Sequence, residues 1–207
     1  MNWFKKSMAL PFSLQRADEG AWVIDEDMRE ETAKQQKEKH NPSYLGAGTN
    51  GLAINIGTHA GKYTRFKEEA TIANYLKNNP SECFVKIFDV QEIQKDPSIF
   101  LIEMEKCTLF SKKDESVLEF MYQEVRETEI DNIMRLNEEK IIKAYNKTIR
   151  RHPFKRRILN DYKNFLLCLV RSGFKTRDYK PSNTGYNSVG QLVLFDIGFL
   201  STSKNNL

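Results

Sequence analysis

Residues 176–183 read Thr176-Arg177-Asp178-Tyr179-Lys180-Pro181-Ser182-Asn183, and the run Asp196-Ile197-Gly198 begins 13 residues after the asparagine. Between the two runs, Asn187-Ser188-Val189-Gly190 is typical of a tight turn and Leu192-Val193-Leu194-Phe195 of a short buried strand. The sequence therefore predicts a polar loop and an acidic turn at the two ends of a β-hairpin. A lone Asp or Lys in a loop is usually solvated surface, but a set of them at this spacing indicates a functional site.

The loop and the turn together resemble the protein kinase superfamily. Its members carry a catalytic loop of the pattern RDxKPxN and, across a hairpin, a DFG-type metal-binding turn at the end of an apolar strand. The resemblance implies a Ser/Thr protein kinase with ATP and Mg²⁺ as cofactors. It assigns Asp178 to the attacking hydroxyl and Lys180 to the transferring phosphoryl group, both as catalytic residues, and it assigns Asn183 and Asp196 to the metal ion.

The glycine-rich run Gly46-Ala47-Gly48-Thr49-Asn50-Gly51 lies between two strand-like segments. A GxGxxG run is a weak signal by itself, and the dinucleotide-binding form needs a helix directly after the third glycine. Here the strand-like residues 52–56 follow, which favours a hairpin that covers phosphates, because glycines let backbone amides approach them closely. The resemblance then places Gly46, Gly48, Gly51 and Ala53 at the nucleotide.

Residues 66–76 form an amphipathic pattern that resembles the αC helix of the family. In that register Glu69 would pair with a lysine of the third strand. In the family, this lysine follows a small residue after one intervening position, and Ala60-Gly61-Lys62 fits that pattern. The hairpin connection before this strand could equally turn Arg65 or Lys67 inward. Alternate residues of a strand face opposite sides, so a shift of one residue would present the wrong side chain. We choose Lys62 and leave the other two open.

Residues 84–93 and 99–104 are apolar runs separated by a Lys-Asp-Pro turn, which predicts a hairpin. Residues 101–107 resemble the fifth strand and hinge of the family. The resemblance makes Met104 the residue at the back of the adenine pocket. It also makes residues 105–107, including Glu105 and Cys107, the backbone that pairs with adenine.

The order of these patterns predicts an α+β fold, because a β-rich layer with one helix precedes a helical region over residues 115–173. We predict three parts: a partly helical N-terminal arm over residues 1–42, a kinase-like N-lobe and hinge over 43–107, and a truncated, mostly helical C-lobe over 108–207. Only nine residues follow Gly198. The resemblance is therefore to a minimal kinase without the usual activation segment and later C-lobe helices, reminiscent of compact bacterial effector or phage kinases.

The composition is that of a globular chain of 207 residues with 32 Lys and Arg against 28 Asp and Glu. No apolar run approaches the roughly 18 residues that a membrane span needs. The net charge of +4 gives little reason to expect a nucleic-acid partner. Three widely spaced cysteines without a CxxC pair favour a reducing compartment over a secreted scaffold or a zinc site, and a chain of this size does not require disulfides to hold its core. A cytoplasmic location is expected, with delivery into a host cell if the protein is an effector.

The predicted function is phosphoryl transfer to Ser or Thr of a protein recognised as a folded surface. A small-molecule kinase shares the Asp-to-Asn spacing, but Arg177 and Lys180 resemble protein kinases more closely. A non-catalytic pseudokinase or scaffold, and an enzyme that transfers AMP from a rotated nucleotide, remain open.

Thr176 and Ile197 stand where the family usually has His and Phe. The basic residues within 150–157 are either a solvated helix junction or a binding surface for an acidic partner or nucleic acid. The sequence says nothing about the oligomeric state.

Overall fold

The computed structural model describes residues 15–16, 22–23, 43–48, 51–95, 98–126, 136–176, 178–198 and 200–202. The helix predicted within residues 25–40 of the arm lies outside these residues. The described part of the arm is an antiparallel pair of two-residue strands, β1 (Gln15–Arg16) and β2 (Trp22–Val23). The chain is an α+β protein, as predicted.

A five-stranded antiparallel sheet follows the arm, with the strand order β3-β4-β5-β7-β6. Its strands are β3 (Ser43–Gly48), β4 (Gly51–Ile56), β5 (His59–Thr64), β6 (Ile87–Lys95) and β7 (Ser98–Glu105). The connection between β4 and β5 is a two-residue turn, because Ile56 already pairs with His59. Gly57 takes a φ of 61° at this turn, a conformation that glycine adopts without strain.

One helix, α1 (Lys67–Asn78), connects β5 to β6 and confirms the predicted amphipathic helix. Its apolar side, including Ala70, Ile72, Ala73 and Leu76, is buried. The helix ends where the backbone N–H of Asn79 donates to the carbonyl of Tyr75 at 2.8 Å, just before Pro80. At the other end of the helix, Glu69 in the first turn of α1 contacts Lys62 of β5.

Three further helices form a second layer: α2 (Lys112–Arg126), α3 (Glu138–Arg151) and α4 (Arg156–Ser172). Asn137 caps α3 by accepting a hydrogen bond from the backbone N–H of Lys140 at 2.9 Å. Gly173 ends α4 in a left-handed conformation with a φ of 76°. Fully buried side chains of these helices, such as Leu118, Met121, Ile141, Leu159 and Leu166, pack with α1 and the sheet in one continuous core.

Four short strands complete the described chain: β8 (Phe174–Thr176), β9 (Thr184–Tyr186), β10 (Leu192–Leu194) and β11 (Leu200–Thr202). The predicted hairpin is confirmed, since β9 and β10 pair in antiparallel fashion around the turn at residues 187–190. The pairing of β11 with β8 was not predicted. Among the described helices, none is both long and apolar enough to cross a membrane.

A disulfide joins Cys83, in the connection between α1 and β6, to Cys168 of α4. The sequence analysis did not require a disulfide, and it did not predict this pair. Wide sequence spacing was a poor guide, because the fold brings two residues that are 85 positions apart to a Cα separation of 5.7 Å. Cys107 remains a free thiol.

Candidate active site

Lys62 lies at the centre of a charged cluster drawn from three separate elements. Its Nζ is 2.6 Å from Oε1 of Glu69 in α1 and 2.8 Å from Oδ1 of Asp196, which is 134 residues further along the chain. On β5, Lys62 is the direct neighbour of Ala53 in β4 and of Ile102 in β7. Of the three basic residues left open by the sequence, the structure pairs Lys62 with Glu69, whereas Lys67 is exposed on α1.

Burial governs the electrostatics of this cluster. The side chain of Glu69 is fully buried, and loss of solvation raises the pKa of its carboxyl group against the opposing charge of Lys62. Burial also disfavours the charged form of Lys62, but Glu69 and Asp196 outweigh it and raise the pKa of the ammonium above its ordinary value. Lys62 therefore stays protonated at neutral pH, fixed between two carboxylates.

Asp178, Lys180 and Asn183 lie together in the loop that precedes β9. The Nζ of Lys180 is 3.2 Å from Oδ1 of Asp178, and Nδ2 of Asn183 donates to the backbone carbonyl of Asp178 at 3.1 Å. A short 3₁₀ turn over Pro181–Asn183 shapes the loop, with the N–H of Asn183 bonded to the carbonyl of Lys180 at 3.0 Å. The loop thus brings one carboxylate, one ammonium and one amide into a compact group.

The loop is attached to α4 through Tyr162, a residue that the sequence analysis did not single out. Its hydroxyl donates to the backbone carbonyl of Tyr179 at 2.8 Å, and both side chains are fully buried. The ring of Tyr122 meets the ring of Tyr179 edge-on at 5.2 Å. Because Tyr179 stands between Asp178 and Lys180, this contact fixes the backbone of both. The signal in the sequence was weak: a tyrosine on the apolar face of a helix needs a partner for its hydroxyl.

Asn183 and Asp196 are brought side by side by the β9–β10 hairpin, since the N–H of Phe195 donates to the carbonyl of Asn183 at 3.0 Å. The amide nitrogen of Asn183 donates to the backbone carbonyl of Asp178, so the amide oxygen is the atom of this side chain that can act as a metal ligand. One carboxylate and one amide oxygen are hard ligands that suit Mg²⁺ together with nucleotide phosphates and water. Among the described residues, no group of three or more His, Cys, Asp or Glu side chains could hold a metal ion. A magnesium site here would therefore need the phosphates of a nucleotide.

The segment after β7 runs against the β9–β10 hairpin. Thr108 exchanges two backbone hydrogen bonds with Tyr186, at 2.7 and 2.9 Å. The carboxylate of Glu105 accepts from both the backbone N–H and the hydroxyl of Ser188. A Cβ on Gly185 would stand 2.8 Å from the Cβ of Cys107, so only glycine permits this close approach. The residues that the resemblance assigns to adenine are thus held by the hairpin that also carries Asn183.

Met104 and Cys107 occupy different surroundings on this segment. Met104 is buried and pairs with Ala60 of β5 and Ile87 of β6. Cys107 is half-buried, and burial together with the charge of Glu105 raises the pKa of its thiol to about 12. The thiol is therefore neutral at physiological pH, and it is unsuited to act as a nucleophile.

The glycine-rich hairpin consists of β3 and β4, in which Gly46 pairs with Ala53 and Gly48 with Gly51. Gly51 has a φ of 152°, and a Cβ there would lie 2.0 Å from the carbonyl oxygen of Tyr63. A side chain at this position would push β4 away from β5. The close approach of two strands thus already requires glycine at position 51, whether or not phosphates bind nearby.

No protein-family model matches this chain, and the search of curated proteins finds no match either. The function must therefore be inferred from the residues and their geometry. The structure brings Lys62, Glu69 and Asp196 into direct contact, and it joins Asp178 to Asn183 in one loop beside the same turn.

Proposed function

We propose that this chain is an ATP- and Mg²⁺-dependent kinase of the protein-kinase type that phosphorylates Ser or Thr of a protein recognised as a folded surface. The ion pair of Lys62 with Glu69, extended to Asp196, carries the proposal. In protein kinases, a lysine of the third strand pairs with a glutamate of the following helix, next to a metal-binding Asp. Lys62 belongs to the third strand of the sheet, and Glu69 to the helix directly after it.

Each residue of the cluster has a role that follows from its position. Glu69 holds the ammonium of Lys62 so that it can bind phosphate oxygens of ATP. Asp196 and Asn183 would hold Mg²⁺, which neutralises charge on the phosphates when bound. Lys62 contacts Asp196 directly at 2.8 Å, so the phosphate-binding and metal-binding groups share one position.

Asp178 and Lys180 act on the acceptor side. The carboxylate of Asp178 accepts the proton of the attacking hydroxyl as the oxygen bonds to the γ-phosphorus and the bond to ADP breaks. The ammonium of Lys180 stabilises the negative charge on the transferring phosphoryl group. The Nζ of Lys180 and Oδ1 of Asp178 are 3.2 Å apart, which is an ion-pair distance. Each side chain therefore restrains the position of the other.

Transfer of label from ATP tests the reaction itself. Purified protein with Mg²⁺ should transfer label from γ-labelled ATP, but not from α-labelled ATP, to protein. Asp196→Ala should abolish the transfer. Asp89→Ala is the matched control, because Asp89 also pairs with a lysine, Lys77, at 2.7 Å but lies on β6. Label from α-labelled ATP would identify AMP transfer instead, and label in a small molecule alone would identify a small-molecule kinase.

Asp178→Ala separates chemistry from nucleotide binding. Removing a positioned base should reduce phosphoryl transfer by about 10² or more. Thermal stabilisation by Mg²⁺ and ATP should persist in this variant, at about 2.7 kcal/mol when ATP is at about 100 times its Kd. Asp196→Ala should lose the magnesium-dependent part of that stabilisation. A pseudokinase would show the stabilisation without any transfer in the wild type, which would refute the proposal.

A further inference from the structure

The junction of α3 and α4 displays an aromatic side chain among arginines. Phe154 is 99% exposed, the highest value among the large apolar residues of the described chain. It lies in a short 3₁₀ turn over Pro153–Lys155. We call Phe154 and its four flanking arginines, Arg150, Arg151, Arg156 and Arg157, the basic corner. All four arginines are exposed.

Contacts on both sides hold the basic corner in place. The Nζ of Lys155 is 2.7 Å from Oδ1 of Asp114 at the start of α2. The guanidinium of Arg151 lies 4.7 Å from the centre of the Phe120 ring, which also meets the ring of His152 edge-on. Phe154 is thus presented on a fixed backbone, so little conformational entropy would be lost when a partner covers it.

The charges of Arg156 and Arg157 do not serve the fold of the isolated chain. Arg156 and Arg157 occupy the first turn of α4, which contains no acidic residue, and the helix dipole disfavours cations there. Within the described residues, Arg150, Arg156 and Arg157 form no ion pair. An anionic partner outside the chain would supply the negative charges with which these arginines can pair.

We propose that the basic corner docks an acidic segment of a protein substrate, with Phe154 entering an apolar site on that protein. The inference deepens the proposed function and rests on it, because it names the surface by which the substrate is recognised. Arginine matches carboxylates through its planar fork of donors. Arginine and aromatic residues also dominate the energetic centres of protein interfaces.

The basic corner includes the start of α4, the helix that also supports the loop of the candidate active site. Arg156 precedes Tyr162 by six residues of α4, about 9 Å along the helix axis. Tyr162 holds the loop of Asp178 and Lys180 through Tyr179. A protein bound at the basic corner could therefore present a separate Ser or Thr to Asp178. Such remote contacts turn binding energy into correct placement of the reacting group.

A protein partner agrees better with these observations than a membrane or a nucleic acid. Membrane-surface helices expose a continuous apolar face, whereas the apolar residues Ile141, Ala144 and Leu159 of α3 and α4 are buried. Proteins that bind single strands stack successive bases on several aromatic rings, and the basic corner offers one. The net charge of +4 is also modest for a nucleic-acid binder.

Binding of a fluorescein-labelled peptide of Asp, Glu and Leu, followed by anisotropy, tests the proposal without using activity. Phe154→Ala, and Arg156→Gln combined with Arg157→Gln, should each raise the Kd about tenfold or more, the loss typical of a central interface residue. Added salt should weaken binding in the wild type. Val189→Ala is the apolar control, since Val189 is 81% exposed on the β9–β10 hairpin. Lys95→Gln combined with Lys143→Gln is the charge-matched control, and both controls should keep the wild-type Kd.

Vesicles containing phosphatidylserine and a single-stranded DNA are titrated in parallel. Unchanged peptide binding in the basic-corner variants, or tighter corner-dependent binding of vesicles or DNA, would overturn the proposal. With dephosphorylated casein as an acidic substrate, the same variants should raise the KM for casein at an unchanged KM for ATP. Corner-dependent peptide binding without any phosphorylation would support the docking surface and refute the proposed function.

Discussion

At the scale of single residues, Cys107 shows how its surroundings determine its reactivity. It stands in the segment that the proposed function assigns to adenine, where a reactive thiol would be accessible to electrophiles. Burial and the neighbouring Glu105 raise its pKa from 9.0 to about 12. The neutral thiol stabilises the fold fully below about pH 9, and this contribution is lost as the pH rises toward 12.

We expect iodoacetamide to modify Cys107 about 10² to 10³ times more slowly in the folded protein than in urea at pH 8, because only the thiolate reacts. Mass spectrometry without reductant should show no label on the folded chain and one label in urea, since Cys83 and Cys168 are bonded to each other. Rapid labelling of Cys107 in the folded protein would contradict the raised pKa.

The sequence predicted best which residues lie together when those residues are close to one another along the chain. Asp178, Lys180 and Asn183 fall within six positions and lie together in one loop. The partner of Glu69 was left open between three basic residues, because it depends on which face of β5 turns inward. Pairing of β5 with β7 decides this, and no pattern within residues 59–64 specifies that register.

At the scale of elements, a hydrogen bond between fully buried residues attaches the loop that carries Asp178 and Lys180 to α4. Burial raises the pKa of Tyr162 well above its ordinary value, so its hydroxyl remains a donor over the whole physiological range. The sequence predicted both elements but not the bond, because Tyr162 and Tyr179 are 17 residues apart and belong to different elements. The same limit applies to β8 and β11, whose partners are distant in sequence.

Tyr162→Phe should retain the ring packing and leave the carbonyl of Tyr179 buried without its donor, which costs about 1–3 kcal/mol of stability. With a less well fixed loop, kcat should fall about tenfold or more while the KM for ATP is unchanged. Denaturant unfolding and initial rates measure the two effects. Tyr122→Phe is the control, since Tyr122 touches Tyr179 through its ring. A loss of stability with unchanged kcat would show that Tyr162 supports the fold without positioning Asp178.

At the scale of the whole molecule, the disulfide links the connection after α1 to α4, and thus joins the two layers of the fold. The carbonyl of Cys83 also accepts from the N–H of Leu194 in β10 at 2.8 Å, two residues before Asp196. The covalent link therefore lies next to the strand that leads into the candidate metal-binding turn. Sequence spacing could not reveal it, because it depends on packing between the sheet side and the helical side of the core.

Reduction of the disulfide should lower the thermal stability of the chain. Closing a loop of 85 residues removes conformational entropy from the unfolded state, which stabilises the fold by about 4.6 kcal/mol. For a chain of this size, that corresponds to a fall in Tm of roughly 10 °C upon reduction. Differential scanning calorimetry with and without a dithiol measures the change. Cys83→Ala combined with Cys168→Ala should melt like the reduced wild type under both conditions, whereas Cys107→Ala should retain the full response. An unchanged Tm after complete reduction, verified by thiol counting, would show that noncovalent packing alone holds the two layers together.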